Sequence, residues 1–460
     1  MNPLFDKAFE YAGKNSKWFE TRYMERETTR AMYRNGQFDG IDNNRESGIA
    51  VRLLNDSISS AYFDTTDWDA AKTIIDVAVR KSKFPGKNQI GIGREDRASW
   101  KIAQRKGIRD FPLEEKLQIL KDMDRIMESE GAPMRINELL DKQMKGQYAN
   151  SSGSNVSWES GRIQYFYMFG VGTGEEFEQS TGQFGASMGY EYLDEIDLPE
   201  IVRNEISVLK KASQAKRPEP GTYDFVIGPE VSGIVAHESC GHPTEYDRII
   251  GREGALAGES FLTGKEFPYR IGSEAVSIID DPTYPGSYGY YQYDDEGVRA
   301  RKRYLYRNGM TSEFLHNRES AAILGVDPNG GGRSSSWDME PLPRMSTTYI
   351  EPGNFEVDEL FEGIQRGIYM KSFTEWNIDD VRFNEKYVGK EAYLIENGKV
   401  TDVLRRPVIE TNTINFYSSV DAVANDLQFH AATCGKGDPE QGCDVWLGGP
   451  HARLRGIRIA

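Results

Sequence analysis

Cysteine and histidine are scarce in this sequence. Only three cysteines and five histidines occur among its 460 residues. An odd number of cysteines in so long a chain argues against a disulfide framework and fits a reducing cytoplasm, where we expect the protein to reside. Residues 1–7 show no basic segment followed by an apolar run, so the start of the sequence predicts no secretory signal.

Long hydrophobic runs and excess positive charge are also missing. No stretch approaches the ~18 consecutive apolar residues that a membrane helix needs, so we expect no membrane association. The net charge at pH 7 is −16, from 72 acidic and 56 basic side chains. Because phosphate binding needs a clustered positive surface, this charge argues against a nucleic-acid partner.

Local patterns in the first half of the chain predict alternating strands and helices. Residues 48–54 and 58–63 are rich in β-branched and aromatic side chains and flank a polar turn, which predicts a hairpin. Apolar residues at helical spacing predict a helix over 67–82. The Gly-rich, polar stretch 170–189 predicts a loop or a long excursion.

The best candidate for a domain boundary is the segment 215–221. It combines charge, two prolines and a glycine, which is typical of linkers. We therefore predict an α/β (α+β) protein with two domains. An N-terminal α/β domain with a mixed sheet covers residues 1–216, and a β-rich C-terminal domain over residues 217–460 carries the histidine motif described next.

Two of the five histidines lie close together in His237-Glu238-Ser239-Cys240-Gly241-His242, on a helix predicted to begin at Pro229. In the common zinc-peptidase motif the two histidines are four residues apart. A spacing of five places the side chains about 140° apart on a regular α-helix, too far to share one ion. Two interruptions would bring them together: a left-handed Gly241 that ends the helix before Pro243, or a π-bulge.

Two glutamates near these histidines are candidates for the chemistry. Glu238 adjoins the first histidine and is expected to be the general base that takes a proton from a metal-bound water. Glu245 could orient a ligating histidine, although the sequence alone slightly favours an exposed loop acid. The histidine pair by itself is weak evidence for a metal, because structural histidines also occur in pairs.

A catalytic zinc ion needs a third protein ligand. Cys240 lies three residues after His237 and is most simply a small buried side chain. Cys434 has glycine neighbours, and Lys436 would favour its thiolate form. The residues alone leave several candidates open: Cys434, Cys443, Cys240, His316, His430 and His451.

The motif and several later segments resemble one known family. His237-Glu238-Ser239-Cys240-Gly241-His242-Pro243-Thr244-Glu245 resembles the HExxxH segment of the TldD/TldE (PmbA) metallopeptidases, on the TldD side. Similar segments follow in the family's order: Tyr293-Asp294-Asp295-Glu296-Gly297, Pro343-Arg344-Met345-Ser346-Thr347-Thr348-Tyr349, Glu391-Ala392-Tyr393-Leu394-Ile395-Glu396-Asn397-Gly398 and Cys434-Gly435-Lys436. Several ordered matches make this resemblance specific.

The resemblance implies a function and a ligand set. A zinc ion would be held by His237, His242 and Cys434, with Glu238 as the catalytic glutamate. Enzymes of this family act on short or unfolded peptides admitted to an enclosed cavity. TldD pairs with TldE, which lacks the metal motif, so this chain resembles the catalytic subunit. The tail after Cys443 differs from the bacterial enzymes, which leaves a homodimer and a heterodimer with a TldE/PmbA-type subunit as expectations.

Two other functions remain as alternatives. The same site could belong to an amidohydrolase that tailors a modified peptide, or the chain could be a metal-free subunit that only shapes the chamber. The intact histidine and glutamate set favours catalysis. The acidic residues 294–296 are expected to form a structural turn, and the basic run 299–303 is expected to be a solvated strand face.

Overall fold

The computed structural model describes residues 2–253 and 258–459. They form an α/β protein with several mixed and antiparallel sheets, as the sequence predicts. The helices are α1 (Pro3–Gly13), α2 (Trp68–Ser82), α3 (Leu113–Ser129), α4 (Leu198–Gln214), α5 (Pro229–Ala236), α6 (Tyr246–Ile249), α7 (Arg318–Leu324) and α8 (Thr413–Ser419). Among the described residues, no helix combines the length and the apolar character that crossing a lipid bilayer would require.

The strands divide into an N-terminal and a C-terminal set. The N-terminal set is β1 (Trp18–Arg34), β2 (Gln37–Leu54), β3 (Ile58–Phe63), β4 (Arg97–Lys101), β5 (Met134–Asn150), β6 (Asn155–Val171) and β7 (Glu178–Ala186). The C-terminal set is β8 (Gly221–Ile227), β9 (Ile278–Asp280), β10 (Arg303–Arg307), β11 (Met310–Thr311), β12 (Gly332–Arg333), β13 (Leu342–Pro343), β14 (Thr347–Ile350), β15 (Arg366–Met370), β16 (Phe373–Ile378), β17 (Asn384–Gly389), β18 (Ala392–Glu396), β19 (Lys399–Val403), β20 (Val408–Asn412), β21 (Val420–Val423), β22 (Gln428–Lys436), β23 (Gln441–Gly449) and β24 (Ala452–Ile459).

The N-terminal strands form one sheet in the order β3-β2-β1-β5-β6-β4, with β7 also paired to β6. The predicted hairpin is confirmed as the end of β2 and the whole of β3, which pair antiparallel. The predicted helix over 67–82 is also confirmed, since α2 covers Trp68–Ser82. Asp67 caps this helix by accepting a hydrogen bond from the Asp69 amide. These helices and strands bury their apolar faces in two N-terminal core clusters.

The prediction of a loop over 170–189 is wrong for most of that stretch. β7 lies within it and pairs antiparallel with β6 over nine residue pairs, from Ile163↔Ala186 to Val171↔Glu178. Its polar character reflects an alternating burial pattern, which leaves part of the strand exposed. Gly182 has a packing reason, since a Cβ there would lie 2.3 Å from the Tyr167 ring.

Two six-stranded sheets and a three-stranded sheet form most of the C-terminal part. Their orders are β11-β10-β9-β14-β23-β22, β19-β18-β15-β8-β24-β21 and β16-β17-β20. Helix α5 leaves β8 and packs against β23. The approach is close, because a Cβ on Gly233 would lie 3.0 Å from backbone atoms of Leu447 and Gly448. A helix seated this tightly is a rigid support for ligating side chains.

The predictions for the acidic residues 294–296 and for the basic run 299–303 have different outcomes. Asp294 accepts backbone hydrogen bonds from Glu296, Val298 and Gly332, as expected of a structural turn. The prediction of a solvated basic face is wrong for Arg303, which is fully buried in an ion pair with Asp280. Burial of that arginine requires such a carboxylate partner, and the sequence does not reveal a partner so distant along the chain.

Candidate metal centre

The helix that carries the histidines changes its winding at the motif. Helix α5 runs directly into a π-helical turn over His237–Gly241, in which the His242 amide donates to the His237 carbonyl. Gly241 is right-handed, with φ −57° and ψ −62°. The left-handed helix end is therefore wrong, and the alternative π-bulge describes the chain. The wider turn brings the two imidazoles to a centroid distance of 4.9 Å.

Glycine at position 241 is explained by close packing. A Cβ there would lie 1.7 Å from the Met345 sulfur and 3.0 Å from its neighbouring carbons. Met345 is itself buried, with only 1% of its surface exposed. The Met345 side chain thus packs directly against the turn. Any larger residue at position 241 would have to displace that side chain.

We expect Gly241→Ala to destabilise the protein and loosen the turn. The added methyl group overpacks a buried site, which costs about 1–3 kcal/mol of unfolding free energy. Chemical denaturation measures this loss, and metal analysis should show reduced zinc retention. Gly442→Ala is the matched control, because its Cβ would meet nothing closer than 3.3 Å. Equal stability of the two variants would contradict the packing explanation.

Carbonyl groups of the π-helical turn accept hydrogen bonds from side-chain hydroxyl groups. The Tyr306 hydroxyl donates to the Ser239 carbonyl at 3.2 Å. The Thr244 hydroxyl lies 2.9 Å from the carbonyl oxygens of both Cys240 and Gly241. Because a buried carbonyl without a partner costs free energy, these hydroxyls stabilise a winding that would otherwise be unfavourable.

The turn and strand β22 bring three predicted ligands together. One ligand atom from each of His237, His242 and Cys434 lies within 4.8 Å of the others. The Nε2 atom of His242 and the Sγ atom of Cys434 are 3.5 Å apart. At most 6% of each residue's surface is exposed. Within residues 2–253 and 258–459, no other such group of three potential ligands occurs.

Of the other candidates for a third ligand, His430 on β22 lines one cavity together with the three-residue group but does not belong to that group, and the rest lie in different surroundings. Cys240 is fully buried in the C-terminal core. His316 faces the Ser320 hydroxyl, and His451 contacts Asp426. Cys443 is the direct cross-strand neighbour of Cys434 in the β22–β23 ladder but does not belong to the three-residue group.

Glu245 is fully buried, so the slightly favoured prediction of an exposed loop acid is wrong. Its Oε2 atom lies 2.9 Å from Nδ1 of His242 and accepts a hydrogen bond from Arg248 at 2.7 Å. Burial would raise the pKa of Glu245, but Lys436, His242 and Arg248 hold it well below its usual range. An ionised Glu245 keeps the His242 proton on Nδ1 and leaves Nε2 as a free electron-pair donor toward Cys434.

Nearby positive charges also shift the pKa of the Cys434 thiol. Burial raises its pKa, but His242 and Arg344 lower it to about 7. The predicted role of Lys436 is wrong, because its ammonium group instead donates to Asp247 and to the Pro343 carbonyl, both at 2.8 Å. Arg344 belongs to the segment 343–349, one of the segments that resemble the family. It donates a hydrogen bond to the Cys434 carbonyl. The permanent positive charge of Arg344 therefore favours the thiolate form of Cys434, which is the form that binds a metal ion.

The donor set fits a metal ion. Burial lowers the pKa of both His237 and His242, which favours the neutral imidazole that coordinates a metal ion. The Nδ1 atom of His237 is buried without a hydrogen-bond partner among the described residues. Tetrahedral zinc separates a nitrogen and a sulfur ligand by about 3.5 Å, which matches the distance between His242 and Cys434.

Glu238 lies beside this group and has a partner that the sequence did not reveal. Its Oε2 atom accepts a 2.6 Å hydrogen bond from Nη1 of Arg382. Arg382 lies 144 positions away, in the turn between β16 and β17. No motif marked it, because the contact arises only when the three-stranded sheet folds over the helix.

The three candidate ligands, Glu238 and Arg382 all line one cavity of about 760 Å³. Its lining includes β7 and α4 of the N-terminal part and α5, β16 and β22 of the C-terminal part. Strand β22 is the last strand of its sheet, and β7 pairs only with β6 among the described strands. Both neighbouring sheets thus present strand edges near the three candidate ligands.

Family models match nearly the whole chain. The PmbA/TldA metallopeptidase domain 1 matches residues 19–82, the central domain matches residues 106–215, and the C-terminal domain matches residues 220–460. The three models follow one another in order and include every residue of the candidate metal centre.

Individual proteins agree with these models. A metalloprotease of Methanothermobacter thermautotrophicus is 28% identical over 432 residues, which is 94% of this chain and 93% of that protein. A zinc metalloprotease TldD homolog of Saccharolobus solfataricus is 32% identical over 274 residues, 59% of each chain. The crystal structure of TldE from Thermococcus kodakarensis superposes with a TM-score of 0.77 at 17% identity, covering 99% of both chains. At that identity the superposition shows a shared fold.

Proposed function

This chain belongs to the PmbA/TldD family of metallopeptidases, and on that premise we propose that it is a zinc peptidase. His237, His242 and Cys434 would hold the ion, and Glu238 would be the general base. The observation that carries the proposal is the convergence of one buried ligand atom from each of three residues within 4.8 Å. Two nitrogens and one sulfur leave a fourth position of a tetrahedral ion for water or substrate.

The chemistry divides between the ion and the protein. A zinc ion bound there would polarise the scissile carbonyl and lower the pKa of water. Glu238 takes a proton from the attacking water and returns it to the leaving amine. Glu245 holds His242 in the tautomer that coordinates through Nε2. Arg344 supports the thiolate of Cys434 by its fixed positive charge.

We propose that the substrate is a short or unfolded peptide. The cavity of about 760 Å³ has the size of a typical ligand site. A folded domain of 100 residues has a radius of gyration of about 13 Å and could not enter such a space. The edges of β7 and β22 offer main-chain hydrogen bonds to an extended chain, a recognition mode that demands little sequence specificity.

The assembly proposed for this activity is a dimer that encloses the cavity. Either a second copy or a TldE-type subunit would close the chamber, and the fold shared with TldE supports a partner of that kind. An amidohydrolase acting on a modified peptide is the second candidate within the same site, because the same activated water attacks any amide carbonyl.

Peptides of graded length test the proposed activity. We expect the zinc-loaded chain, alone or with a TldE-type partner, to cleave unstructured peptides and to leave a folded domain intact. Removal of zinc with a chelator should abolish cleavage, and added zinc should restore it. Cleavage that survives complete zinc removal would contradict the proposal. Selective cleavage of a modified side-chain amide, with backbone bonds intact, would favour the amidohydrolase.

A further inference from the structure

Arg382 makes the one hydrogen bond that the Glu238 side chain has among the described residues. The contact is short, at 2.6 Å, and largely shielded, because only 14% of the Arg382 side chain and 9% of the Glu238 side chain are exposed. A shielded ion pair holds both side chains in one geometry more strongly than an exposed pair does.

The backbone that presents Arg382 adopts an uncommon conformation. Its φ is +63°, in the left-handed region that non-glycine residues seldom occupy. The Arg382 amide donates to the Asp379 carbonyl at 2.9 Å, and the Thr413 hydroxyl donates to the Arg382 carbonyl at 3.2 Å. Such strain persists only where the surrounding structure fixes the residue, and it is concentrated at functional sites.

Arg382 also differs from the structural arginines of this protein. Arg318 satisfies its guanidinium with carbonyl oxygens of Gly91, Ile92 and Glu296. Among the described residues, by contrast, the Arg382 guanidinium donates only to the Glu238 carboxylate, and its Nε is buried without a partner there. Its position therefore follows from the turn and the carboxylate, and it does not tie segments of backbone together.

We propose that Arg382 is a positioning residue that fixes Glu238 through Oε2 and so leaves Oε1 as the oxygen that exchanges the proton. The inference rests on the proposed function, because it requires Glu238 to be the base. A general base must lie within hydrogen-bond reach of its proton, and a misplacement of about 1 Å can lower the rate about 100-fold.

The test uses the full chain, loaded with zinc, with Arg382→Gly and Arg382→Lys. Glycine tolerates the left-handed turn, so the first variant should fold. We expect its kcat to fall about 100-fold with little change in KM or zinc content, since the lost contact acts through the base. Arg382→Lys should recover part of the rate. Added guanidinium at a non-denaturing concentration should partly restore Arg382→Gly but leave Glu238→Gln inactive.

A matched control comes from Arg406. It too has a positive φ, +47°, and its side chain pairs with Glu178 at 2.8 Å. Unlike Arg382, it does not line the cavity that contains the three candidate ligands. Arg406→Gly should keep the wild-type kcat. Wild-type kcat in Arg382→Gly, a loss confined to KM, or no response to guanidinium would overturn the positioning role. An inactive zinc-loaded wild type would instead overturn the proposed function on which this role rests.

Discussion

Replacing Glu238 by glutamine should abolish peptide hydrolysis and leave zinc bound. Glutamine keeps the shape of the side chain, and its amide oxygen can still accept the hydrogen bond from Arg382. It cannot take a proton from the attacking water, and loss of a general base lowers rates by about 10²–10⁴-fold. The measurements are kcat on an unstructured peptide and zinc per chain by elemental analysis.

Glu230→Gln is the matched control for this variant. Glu230 lies on the same helix, α5, and lines the same cavity, but it is seven residues before His237. We expect it to retain most of the wild-type kcat. Full activity in Glu238→Gln would remove Glu238 from the mechanism, and loss of zinc from it would assign the side chain to the metal instead.

Replacing Cys434 by serine should release the metal. A thiolate is a strong zinc ligand, whereas a serine hydroxyl is seldom one, and the buried site offers no other sulfur ligand in the three-residue group. Losing an outer partner of a metal ligand weakens binding about 10–100-fold, and losing the ligand itself should exceed that. Competition with a fluorescent chelator measures the zinc affinity.

Cys443→Ser provides a control from the same ladder. Cys443 is the cross-strand neighbour of Cys434 and is similarly buried, so the variant makes the same chemical change in nearly the same surroundings. It should retain zinc and activity. The opposite pattern, in which Cys443→Ser loses zinc and Cys434→Ser keeps it, would move the third ligand to Cys443.

The sequence was informative where the evidence was local. The five-residue spacing of His237 and His242 requires an interrupted helix if they share an ion, and a π turn is one of the two solutions that this argument allows. Likewise, apolar residues at helical spacing predict α2 within a residue or two. Such features depend on residues that are near one another in the chain, so local backbone geometry is enough to predict them.

Features that depend on distant packing could not be predicted. Gly241 seemed to serve a left-handed helix end, but its actual constraint is the sulfur of Met345, 104 positions away in the sequence. Glu245 looked like a loop acid because its buried partner Lys436 becomes a neighbour only in the folded protein. Lys436 is engaged by Asp247, so its charge serves that network.

Strand β7 and Arg382 were missed for a related reason. The glycine and polar residues of β7 resemble those of a loop, yet pairing with β6 supplies the hydrogen bonds that define a strand. Arg382 lies in a turn with no recognisable motif, and only the contact with Glu238 gives it a role. Tertiary contacts thus override local propensity at both places.

Zinc K-edge X-ray absorption on the purified chain tests the central claim most directly. The proposed ligands predict a first shell with nitrogen at about 2.0–2.1 Å and one sulfur at about 2.3 Å. The sulfur contribution should disappear in Cys434→Ser and persist in Cys443→Ser. A wild-type spectrum without sulfur, or one whose sulfur contribution survives in Cys434→Ser, would contradict coordination by His237, His242 and Cys434.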